Sequence, residues 1–136
     1  KYYHNLVLGM VLSLSKEYEI HSNVESGYGR YDIALEPREK TKAGFVFECK
    51  LAKSEEELER KAEEALQQIA EKKYEVVLQE RGISKIISLG LAFYGKKVKI
   101  ISKFWEKIEK ASLGNIIFRI TFFLEQNISK KIDLSI

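Results

Sequence analysis

The stretch from Glu25 to Lys50 constrains this chain most, because two strand-like runs there flank one short charged break. Arg30 to Leu35 alternates polar and apolar residues loosely, and Ala43 to Leu51 is rich in Phe, Val and Leu. Between them, Glu36 to Lys42 is charged and holds the only proline, Pro37. Strand, turn and second strand is the natural reading of that pattern. With the turn centred near Lys40, Asp32 falls opposite Glu48. Successive side chains on a strand point to opposite faces, so Glu48 and Lys50 share one face and Cys49 points to the other. The hairpin then gathers Asp32, Glu48 and Lys50 on one exposed edge of a sheet.

Directly opposed residues hold their Cβ atoms about 4.5–5.5 Å apart. Two carboxylates that close repel unless a cation lies between them. Mg²⁺ or Mn²⁺, a hard ion that prefers oxygen ligands, removes the conflict. Lys50 beside such an ion would orient or help activate a water, or balance charge on a phosphate under attack. A plainer reading competes with this one: Asp32 and Lys50 form a cross-strand ion pair and Glu48 is solvated. Glu-x-Lys alone is common by chance and favours the plain reading. Asp32 in a Gly-x-Gly-Arg-x-Asp context, at a hairpin-compatible distance, favours the metal.

Length and charge set the bounds. The 136 residues suffice for one domain with a single core. A net charge of +3 and a pI near 8.8 are compatible with a polyanionic partner without demanding one. The single cysteine excludes an internal disulfide and fits a reducing cytoplasm. His4 and His21 are the only histidines, and no zinc-type spacing occurs. Leu6 to Leu14 is apolar but much shorter than the roughly 20 residues of a membrane span. No secretory signal is read, and no membrane partner is expected.

Along the chain, Tyr2 to Glu17 reads as a helix. It is apolar nearly all round, through Tyr3, Leu6, Val7, Met10, Val11 and Leu14, and so is buried against the sheet. His4 at its start reads as structural. Tyr18 to Val24 reads as a strand, with His21 at the surface or strand end and a general-base role as its alternative. Gly27 and Gly29 permit a tight turn. No helix follows them, which excludes phosphate-loop and dinucleotide readings. Arg30 either contacts a phosphate or pairs with Glu25. Ser54 and Glu57 make a capping box, and the acidic run Glu55 to Glu57 suits a helix start. Leu58, Ala62, Ala65, Leu66 and Ile69 form the buried stripe of that helix, with Gln68 beside it. A break near Tyr74, continuation to Gln79 and a stop at Gly82 complete it.

Lys85 to Phe93 reads as the next strand, and strand, helix, strand makes the two strands parallel neighbours. Tyr94-Gly95 turns the chain into Lys97 to Ile101. Lys96, Lys97 and Lys99 form a local basic cluster, either a solvated face or a phosphate-positioning group. Phe104 to Ala111 reads as a short helix. Ile116 to Leu124 is a strand or a buried helix, since periodicity does not separate the two. Its apolar surface calls for cover, by the domain or by a second copy in a homodimer.

The runs SNVESGYGRYDIAL, FVFECKL, EALQQI, EKKY and LGLAFYGKKVKI, in that order, resemble the PD-(D/E)XK nuclease superfamily. More narrowly, they are similar to the nuclease-like domain that follows AAA-ATPase-like modules in microbial proteins. The resemblance spans roughly Tyr2 to Ile101. It implies Asp32, Glu48 and Lys50 as the acid and lysine core, with Tyr31 where the superfamily name has proline. It also implies Gln68 as a helix glutamine near the metal and Glu25 as a further acidic position; Arg30, with its two readings above, stands beside Glu25 as a candidate accessory. A glutamate often precedes the YYH of the family's first helix, a position that lies before Lys1. The implied fold is α/β and restriction-endonuclease-like, a mixed, mainly four-stranded sheet flanked by helices. It forms one domain over residues 1–136, with 110–136 as a C-terminal extension. The implied activity is hydrolysis of nucleic-acid phosphodiester bonds, with DNA the expected substrate. Mg²⁺ or Mn²⁺ would be held by Asp32, Glu48 and the backbone carbonyl of Cys49, with Lys50 and Gln68 assisting. The alternative is a catalytically silent interaction or regulatory module of an ATPase-linked protein.

Overall fold

The run Gly44–Leu51 is apolar on both sides at its start, and such a strand needs cover on both faces. The computed structural model describes residues 2–25, 30–72, 74–104, 119–120, 122–123 and 132–135. It places this strand, β3, inside a six-stranded sheet. The other strands are β1 (Tyr18–Glu25), β2 (Arg30–Pro37), β4 (Ile86–Tyr94), β5 (Lys97–Phe104) and β6 (Ile132–Ser135), and their spatial order follows the sequence. β3 and β4 are parallel, as are β5 and β6, and the remaining neighbours are antiparallel. This is the mixed sheet expected, widened from four main strands to six. β1 joins through its hairpin with β2, and the short β6 adds to the far edge.

Alternation divides the side chains. Ile33, Leu35, Phe45, Phe47, Leu89 and Leu91 point to one face and pack with Val7, Met10 and Val11 of α1 (Tyr2–Leu12). Phe45 and Phe47, two residues apart, stack with ring centroids 6.3 Å apart, and Tyr18 meets Phe45 edge-on at 5.9 Å. The helix ends at Leu12 rather than running on to Glu17. The Ser13 hydroxyl donates to the Met10 carbonyl at 2.6 Å, and short-range backbone bonds carry the chain through a turn to Tyr18. A serine that bonds back to the preceding turn competes with helix propagation.

The opposite face is covered by α2 (Leu58–Lys72) and α3 (Tyr74–Glu80), which connect β3 to β4. Leu58, Ala62, Ala65 and Ile69 are the buried residues of α2. The expected capping box forms only in part. The Ser54 side chain makes no cap bond, while the Glu57 carboxylate accepts the Lys53 N–H at 3.0 Å. Gly82 follows α3 at φ 91°, the left-handed conformation that glycine adopts without strain.

Beyond β5, the expected helix at Phe104 to Ala111 lies outside the described residues apart from Phe104, which ends the strand. Within Ile116 to Leu124, residues 119–120 and 122–123 are helical. Ile120 is buried in the same cluster as α1, and Arg119 pairs with Glu17 at 2.8 Å.

Candidate active site

The β2–β3 ladder sets Asp32 directly opposite Glu48. The turn between the strands is charged and centred near Lys40, and that symmetry fixes the register. The row continues on both sides, to Asn23 on β1 and to Gly90 on β4. The acids therefore lie within the sheet and not on an exposed edge. Asp32 is 3% exposed and Glu48 fully buried. Neighbouring strands flank them on either side, and α2 lies over the face they point to.

Gly90 is the reason α2 comes so close. A Cβ at that position would stand 2.9 Å from the Leu66 backbone N and 3.3 Å from the Ala62 carbonyl carbon, and nearer still to the carbonyl oxygen. The helix backbone rests on the strand where a side chain would otherwise be. An isolated glycine inside an apolar strand is the sequence sign of such an approach.

The helix brings a polar stripe with it. Glu64, Gln68 and Lys72 follow at four-residue intervals, the spacing that lines residues along one helix face. At one end, the Lys72 ammonium donates to Asp32 Oδ2 and lies 3.9 Å from Glu48 Oε1. At the other, Lys50 Nζ lies 3.5 Å from Glu64 Oε2. Among the described residues, then, Asp32 takes Lys72 and Lys50 takes Glu64, so the cross-strand Asp32–Lys50 pair does not form and Glu48 is not solvated. Glu64 also meets Arg60 at 2.5 Å and Lys61 at 3.4 Å. Burial pushes the Glu64 carboxyl up, but Lys61, Lys50 and Arg60 outweigh it and hold the group below the usual carboxylate range.

Between the two ends sits Gln68. Its Oε1 is buried and accepts no hydrogen bond, and the same holds for Asp32 Oδ1. A buried oxygen normally has a partner, so two acceptors without a protein partner on the elements that meet here are donors a ligand can use. Oxygen donors of this kind suit a hard divalent cation. The sequence signal for Lys72 is its place four positions after Gln68, which puts it on the same helix face.

The remaining candidates are placed as follows. Cys49 points its side chain into the α1-side core, as alternation requires, and its backbone lies between Glu48 and Lys50. Glu25 and Arg30 are register partners at the end of the β1–β2 ladder, and the glycine turn between them lies outside the described residues. Lys96 and Lys97 are exposed, with Lys97 paired to Glu55, whereas Lys99 is buried in the row Lys50–Ala92–Lys99. His21 stands 3.2 Å from Glu36 Oε1, and Arg81 Nε donates to the same oxygen at 2.6 Å. Glu19, His21 and Glu36 bring their ligand atoms within 4.8 Å of one another, a group the sequence reading did not assemble. Burial raises the Glu36 carboxyl, but its bonds from Arg81 and His21 prevail and hold it below the usual range.

A family model described as the PD-(D/E)XK nuclease superfamily matches residues 1–103. That stretch takes in Asp32, Glu48, Lys50, Gln68 and Lys72. No curated protein and no solved structure matches the chain. No helix among the described residues is long and apolar enough to cross a membrane.

Proposed function

The chain belongs to the PD-(D/E)XK nuclease superfamily, and on that footing we propose that it hydrolyses phosphodiester bonds of nucleic acid, DNA first, in a reaction that depends on Mg²⁺ or Mn²⁺. The observation that carries this reading is the buried pair Asp32 and Glu48, opposed in register beneath a helix that offers Gln68. The orphaned oxygens Asp32 Oδ1 and Gln68 Oε1 support a cation there. Asp32 and Glu48 would hold it, with the Cys49 carbonyl and Gln68 Oε1 as further donors. Once bound, the ion supplies Lewis acidity to the phosphate and makes the attacking water more acidic.

The chain's own groups do the rest. Glu64 holds the Lys50 ammonium on the face that Glu48 shares, ready to balance charge that builds on the phosphate oxygens. Gln68 keeps an amide donor as well as its acceptor, and so can orient water or a phosphate oxygen. The sheet and α2 exclude bulk water from Glu48, which strengthens each of these interactions.

The test is incubation of pure protein with labelled DNA and RNA in Mn²⁺, in Mg²⁺ and in chelator. Cleavage should require the metal and be lost in Asp32→Ala and Lys50→Ala. Cleavage that persists in both variants would point to another site. If no substrate is cut in any condition, the silent interaction or regulatory module is the reading that remains.

A further inference from the structure

We infer that Lys72 is an exchangeable internal counter-ion: in the metal-free protein its ammonium holds the place of the divalent cation between Asp32 and Glu48, and the cation must displace it to bind. This inference rests on the metal-site reading above and concerns a residue to which that reading gives no role.

Three observations lead to it. The first is electrostatic. Asp32 and Glu48 are opposed and almost wholly buried, so two negative charges without a nearby cation would be severely destabilising. Among the described residues Lys72 meets both, bonded to Asp32 Oδ2 and 3.9 Å from Glu48 Oε1. The second is incompleteness. One ammonium leaves Asp32 Oδ1 and Gln68 Oε1 without hydrogen bonds, so the oxygens gathered here exceed what a single lysine satisfies. An ion that takes about six oxygen ligands would use them. The third is access to solvent. The Lys72 side chain is 25% exposed, against 4% for Asp32, so it enters from solvent on a flexible stem and has somewhere to go. Ammonium and divalent ion contend for the same carboxylate oxygen, and the affinity for metal is set by that contest.

The test measures Mn²⁺ binding by calorimetric titration, and thermal unfolding in chelator, for wild type, Lys72→Met, Lys72→Arg and Asp32→Asn. Removing the competing charge should tighten Mn²⁺ binding at least about tenfold in Lys72→Met. The same variant should unfold at lower temperature in chelator and recover when Mn²⁺ is added. Lys72→Arg, which keeps the charge, should stay close to wild type in affinity. Equal affinity in wild type and Lys72→Met, with binding abolished in Asp32→Asn, overturns the counter-ion and leaves the metal site standing. No Mn²⁺ binding by wild type or by Lys72→Met overturns both. If Lys72→Met is unfolded in chelator, its refolding on Mn²⁺ addition supports the inference, and failure to refold overturns it.

Discussion

Gly90→Ala is the substitution that asks most directly whether the site is assembled by the close approach of α2. The added methyl would meet backbone, not a side chain that can swing aside: it would stand 2.9 Å from Leu66 N and 3.3 Å from the Ala62 carbonyl carbon. Comfortable separations are about 3.5–4.0 Å, so the helix must lift by ~1 Å. Overpacking of this kind costs typically 1–3 kcal/mol, and contact with backbone places it near the upper end, about 3 kcal/mol. For a chain of this length that lowers Tm by roughly 10 °C. The displacement also withdraws Gln68 from the strand acids, and a ~1 Å misplacement of a supporting group can reduce turnover about 100-fold. Differential scanning calorimetry and the cleavage assay read the two effects separately. A Tm within about 2 °C of wild type would mean that α2 does not rest on β4 at Gly90, and the account of the site would fail with it.

Three further outcomes follow from the same geometry. Gly9→Ala should have the opposite sign to Gly90→Ala. Its Cβ would meet Phe123 Cζ at an ordinary 3.8 Å, so α1 gains about 1 kcal/mol of helix propensity and Tm rises in the same calorimetric scan. Tyr18 governs the alkaline limit: burial, aided by Glu17, pushes its phenol up to about 12 from the ordinary 10.0. The contribution is complete below pH 10 and is lost as pH rises toward 12, a fall of about 3 kcal/mol that Tyr18→Phe should abolish in alkaline denaturation curves. Glu36 governs part of the acid limit, because its folded value is depressed below 4.5. Its stabilisation is present above that pH and lost below it, so acid titrations of wild type and Arg81→Met should differ at neutral pH and converge once Glu36 is protonated.

What was legible in the sequence is what depends on local pattern. The register of Asp32 against Glu48 follows from one turn and one alternation, and both are written between residues 30 and 51. The buried stripe of α2 likewise follows from spacing. What was not legible depends on how an element lies on its neighbour. Lys72 reads as one more charge on a helix crowded with them, and nothing local says that it turns inward. The depth of Glu48 depends on Gly90, which is adjacent in the sheet but 42 residues away in the chain. The four residues of β6 carry too little pattern to announce a strand, and the serine that ends α1 acts through a bond visible only in the folded backbone.

The small residues and the charged ones are parts of one device. Ala62 and Ala65 on α2 are completely buried, and with Gly90 beneath them they let helix and sheet backbones approach without a layer of large side chains between. A larger separation would let water reach Glu48, and water would then carry most of its charge. At the separation observed, water is excluded and the charge must be met from within, by an ammonium on the same helix or by an ion. A buried carboxylate pair that stays ionised calls for a cation beside it. The burial that draws a cation to an ionised pair therefore follows from the packing of α2 on β4, a feature set by three residues that carry no charge at all.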